Sequence, residues 1–151
     1  MQTTSEKELL ERGVLCRTTV GVSMRPLLRE GKDLSFIERR EPPFRKYDAV
    51  LFRREDGTLV LHRILRLRAD GMCFIAGDNC EGGEWVRQTD ILGVLTQVRR
   101  GKKIISAQSL SYKLYARIQA AAFPLRRLYR RQKRRVLRLW QRVWAALRSK
   151  T

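Results

Sequence analysis

A single histidine, His62, stands in the sequence of 151 residues. With one imidazole and three cysteines at no paired ligand spacing, the composition argues against a zinc site. The cysteines, Cys16, Cys73 and Cys80, are odd in number, which argues against a disulfide framework and for a reducing compartment. Long apolar runs are missing too. None approaches the roughly 20 residues that span a bilayer, and the most apolar stretch, 120–125, is short and holds Pro124. The N-terminal MQTTSEKELLERG is polar and reads as neither a secretory signal nor a membrane anchor. Acidic residues are absent from the last third: residues 101–151 hold 15 Lys and Arg and no Asp or Glu. The first 100 residues hold 18 basic against 15 acidic, so nearly all of the net charge of +18 lies in the tail. The asymmetry predicts a near-neutral folded domain over 1–100 and a basic segment over 101–151.

What is present in 1–100 is mostly strand-like. Ser5 and Glu8 have capping-box spacing and Gly13 offers a stop, which predicts a short helix over 5–12. Segments 14–20, 33–39, 48–54, 58–68, 72–77 and 91–99 are rich in β-branched and apolar residues. Asp56-Gly57 and Asp70-Gly71 read as hairpin turns, and Pro42-Pro43 interrupts the chain before the third strand. Closely spaced short strands predict an antiparallel β domain of barrel or sandwich type. Beyond Arg100, apolar residues recur near every 3.6 positions with Arg and Lys between them. This predicts two amphipathic helices, 107–122 and 125–148, divided at Pro124, and an α+β chain as a whole.

The residues that carry chemistry are few. A serine hydroxyl needs a base, and donors for the oxyanion it creates, before it can attack a carbonyl. Ser23, in the turn GVSMRP, can supply the nucleophile, and His62, in the strand LHRI, can supply the base. Carboxylates follow at Asp78 and Glu84 in GDNCEGGE. Each has an ordinary reading as well. Serines and GDN segments are common in turns, strand histidines pack into cores, and cysteines fill small core positions.

The ordered set GVSMRP, LHRI, GDN and DILG resembles the signal peptidase I family, within the wider signal-peptidase and LexA-like group of serine peptidases. The resemblance covers about residues 14–98. It implies Ser23 as nucleophile and His62 as general base, as in the Ser–His members. It places Asp78 in the acidic box, with Glu84 where the family often has a second aspartate, and leaves open which of the two orients His62. The family's Gly-Asp pairs read here as Gly31-Lys32-Asp33 and Tyr47-Asp48. The resemblance further implies a hydrolase that cleaves an extended peptide, such as a signal or leader peptide, bound alongside a strand without a cofactor. A peptidase fold kept as a non-catalytic binding module is the alternative.

The basic tail admits three readings. It can lie on an anionic membrane through 105–150, with Phe123, Trp140 and Trp144 at the interface. It can bind nucleic acid through its basic face. It can pack on the β domain with its charges solvated. The membrane reading is preferred, and with it a peripheral location at the cytoplasmic face of the cell membrane.

Overall fold

A computed structural model describes residues 4–148. A short helix, α1 (Thr4–Arg12), comes first, followed by strands β1 (Val14–Thr18), β2 (Asp33–Arg39), β3 (Ala49–Arg53), β4 (Leu59–Leu67) and β5 (Met72–Ala76). Then come β6 (Glu84–Arg87), a 3-10 turn over Gln88–Asp90, β7 (Ile91–Arg100), β8 (Lys103–Ser106) and a long helix, α2 (Leu110–Arg148). The protein is mainly antiparallel β sheet with a C-terminal helix, α+β overall.

Seven of the sheet's eight strands run in the order β1-β2-β7-β3-β4-β5-β6, and β8 pairs with β7 off this path. β7 is its hub. β2 runs along one of its edges, while β3 and β8 share the other, β3 at Ile91–Val94 and β8 at Gln97–Arg100. Both faces of the sheet are covered, so side chains alternate between two cores. On β3, Ala49 and Leu51 join a cluster with Leu9 of α1, Met24, Leu27 and Leu28 of the β1–β2 loop, and Tyr112 and Ala116 of α2. Val50 and Phe52 face the other way, into a cluster with Ile64, Cys73 and Ile75.

Two strands were not expected. β6, EWVR, carries an exposed Trp85 and lacks a hydrophobic alternation. β8, KIIS, pairs with β7 through the tight turn at Gly101, where φ is +59°. The sheet therefore continues past Arg100. The helix α1 already includes Thr4, so Ser5 sits within its first turn rather than at its cap.

The expected break at Pro124 is corrected: one helix runs through it. Proline removes one backbone donor and crowds the preceding turn. One tertiary and one intrahelical contact hold the helix at this point. Phe123 is buried with its ring edge-on to Phe74, 6.0 Å between centroids, and Arg126 Nη2 donates to the Gln119 carbonyl at 3.0 Å. No helix among the described residues is long and apolar enough to cross a membrane.

Candidate active site

Ser23 opens the turn between β1 and β2. The turn is held at both ends. Met24, Leu27 and Leu28 are buried beneath it. At its far end Arg100 Nη2 donates to the carbonyls of Pro26 (3.2 Å) and Leu27 (2.9 Å), and the same guanidinium grips Asp33. Arg29 grips Asp33 from the other side at 2.9 Å. Burial alone would raise the Asp33 carboxyl, but the hydrogen bonds from Arg29 and Arg100 outweigh it and hold the group well below the usual carboxylate range. At its near end the turn is fastened to the GDN segment. Asn79 N donates to the Ser23 carbonyl at 2.7 Å, and Asn79 Nδ2 to the Val22 carbonyl at 3.2 Å.

His62 approaches the same place from β4, opposite Val50 of β3. Its ring is buried 6.2 Å from Phe52. Gly77 marks the convergence. A methyl group placed there would stand 2.6 Å from the Ser23 carbonyl oxygen, 2.7 Å from Cys80 Sγ and 3.1 Å from His62 Nε2. Glycine is required because backbone, thiol and imidazole meet at one point. No hydrogen bond joins the Ser23 hydroxyl to His62 in this structure, and among the described residues the Ser23 N–H also has no partner.

The two carboxylates are engaged by other partners. His62 and Arg63 are neighbours on β4 and so project from opposite faces. Arg63 is fully buried and holds Asp78 through two hydrogen bonds of 2.7 Å, Nε to Oδ1 and Nη2 to Oδ2. Tyr115 of α2 donates to Asp78 Oδ2 at 2.9 Å, and Arg63 Nη1 donates to the Tyr47 carbonyl at 2.8 Å. Burial would lower the Arg63 guanidinium, but its bonds to Asp78 outweigh this and raise it. Burial and the adjacent Asp78 charge raise the Tyr115 hydroxyl, so it remains a donor. Glu84, at the start of β6, is held by Arg54, whose Nε lies 2.9 Å from Oε2. Neither Asp78 nor Glu84 hydrogen-bonds His62, and the buried Nδ1 of His62 has no partner among the described residues.

Beside the histidine lies an open cavity of about 530 Å³, lined by Arg54, His62, Cys80, Glu81, Glu84 and Arg134, with Gly82 and Gly83 in its wall. Arg134 reaches it from α2 and pairs with Glu81 at 2.8 Å. Burial is the main influence on His62 and pushes its imidazole below the ordinary value of 6.5, Glu84 and Asp78 acting against it. The ring is therefore neutral at neutral pH.

Tyr47, where the family pattern has glycine, takes the glycine conformation itself, with φ at +78°. Its N–H donates to the Ile64 carbonyl at 2.9 Å, which ties this turn to β4. Gly77, Cys80, Arg54, Arg63, Tyr115 and Arg134 all shape the site, and sequence reasoning had assigned none of them a part in it. Only Gly77 carried a signal, as the first residue of GDN. No protein-family model matches the chain, and no curated protein does.

Proposed function

We propose that this chain is a serine endopeptidase of signal-peptidase type in which Ser23 and His62 act as a dyad. The observation that carries the reading is the meeting of the Ser23 turn, the His62 imidazole and the GDN segment at Gly77. His62 Nε2 takes the proton from Ser23 Oγ as that oxygen attacks a peptide carbonyl. The unengaged N–H of Ser23 receives the oxyanion. The imidazolium returns its proton to the leaving amine, and water releases the acyl group by the same steps. Asp78 acts as a positioning residue: it locks Arg63 beside His62 on β4, and the imidazole is held by packing rather than by a carboxylate. The free edge of β1 runs toward Ser23 and offers main-chain groups to an extended peptide.

The test compares the wild-type chain with Ser23→Ala and His62→Ala on a library of peptides. Each substitution should lower cleavage by about 10³-fold or more. Equal cleavage by all three proteins would remove the assignment, and no cleavage by the wild type would favour the non-catalytic binding module.

A further inference from the structure

The helix α2 is longer than the domain needs, and its faces differ sharply. At 100° per residue, Tyr112, Ala116 and Phe123 share one side with Arg134. The first three are buried in the domain, and Arg134 is paired with Glu81. On the opposite side, Leu110, Leu114, Ile118, Leu125, Leu128 and Val136 form a continuous stripe, each more than half exposed to solvent. Tyr129 and Trp140 extend its margin and are exposed as well. Along one flank between the two sides run Lys113, Arg117, Arg131 and Arg135, exposed and without an ion pair among the described residues, and Lys133 is exposed on the other flank. The helix thus has a face turned to its own domain, a basic flank and an apolar face turned outward.

We infer that the outward face of α2 is a docking surface for an anionic lipid bilayer. Charge complementarity selects this occupant. Lipid alone offers an apolar layer for Leu114, Ile118 and Leu125 together with an anionic layer at the depth of the flanking arginines. A nucleic acid would satisfy the cations but leave the aliphatic stripe in water. A second copy would bring arginines against arginines, since residues 101–151 contain no carboxylate side chain. Phe123, expected at the interface, takes no part, because it is buried against Phe74. The inference stands apart from the peptidase reading: Ser23→Ala should leave it untouched.

The test uses the full chain in co-sedimentation with vesicles of phosphatidylcholine, alone or with one third phosphatidylglycerol. The chain should sediment with the anionic vesicles and remain soluble with the neutral ones. Arg131→Gln/Arg135→Gln should weaken the partition about fivefold for each charge removed. Leu114→Ser/Leu125→Ser should weaken it about tenfold or more. All four positions are exposed, so an unchanged thermal midpoint checks that the variants stay folded. Failure of the wild type to sediment, or sedimentation unchanged in both double variants, would overturn the inference. So would a gel shift of duplex DNA or RNA without vesicle binding, or a wild-type dimer that Leu114→Ser/Leu125→Ser converts to monomer.

Discussion

As the proposed base, His62 would accept a proton at neutral pH, and its surroundings suit that role. An imidazole held above its ordinary value would be charged and useless as a base. Burial does the opposite here, so the neutral ring persists into mildly acid solution. The acid limb of kcat/KM should therefore have its midpoint below 6.5, with a plateau through neutrality; a midpoint at or above 6.5 would contradict the assignment. Stability follows with a definite sign. The unfolded chain binds this proton more readily than the folded one, so the contribution of His62 is present above about 6.5 and is lost as the pH falls toward the folded value. His62→Phe should flatten that part of a stability–pH curve measured by urea unfolding. Gly77 offers a second residue-scale test. Gly77→Ala places a methyl 2.6 Å from the Ser23 carbonyl and must push the turn away from the imidazole. Cleavage should fall about 10²-fold, with the far-UV spectrum retained. Cleavage at the wild-type rate would mean that the convergence at Gly77 is unimportant.

At the scale of elements, the pair Arg63–Asp78 ties β4, the β5–β6 loop and α2 into one unit. The guanidinium is fully buried and lies over the rings of Tyr112 (5.5 Å) and Tyr115 (5.7 Å). Asp78→Asn removes the compensating charge and leaves the cation in the core. The cost should be about 3–5 kcal/mol in urea unfolding, and a loss below about 1 kcal/mol would contradict the account. Pairing of this kind explains what was and was not legible in the sequence. GVSMRP, LHRI and GDN could be read in order because each lies on one short segment with its own turn or strand signal. The partner of Asp78 could not, because Arg63 reads as an outward residue of an alternating strand until α2 covers that face. Glu84 shares that limit: β6 has too few residues to show a period, and its register against β5, which sets Glu84 opposite Ile75, comes only from pairing. The continuity of α2 was hidden by Pro124, whose local penalty is outweighed by the tertiary contact of Phe123 with Phe74 and by the bond of Arg126 to Gln119 within the helix.

Over the whole molecule, α2 joins a part that completes the fold to the proposed docking face, and the chain can be cut between them. Its first turns belong to the fold: Tyr112 and Ala116 complete the core beneath the Ser23 turn, and Phe123 packs on Phe74. Beyond residue 128 the helix meets the domain at the solvent-exposed pair Arg134–Glu81, a kind of contact worth about 0–1 kcal/mol. A chain ending at residue 128 should therefore unfold within about 1 kcal/mol of the full chain and retain peptide cleavage. It should also bind anionic vesicles more weakly, having lost Arg131, Arg135, Val136 and the marginal Tyr129 and Trp140. A chain ending at residue 108 keeps every strand but loses Tyr112, Ala116 and Phe123, at about 1.5–3 kcal/mol for each large side chain. It also strips Asp78 of its bond from Tyr115. The sum approaches the whole stability of an ordinary domain, so this shorter chain should unfold at much lower urea and lose cleavage with its fold. Equal stability of the two truncated chains would show that α2 is an appendage throughout. Loss of cleavage at residue 128 with the fold intact would instead place the far half of the helix, and Arg134 at the cavity beside His62, within the peptidase itself.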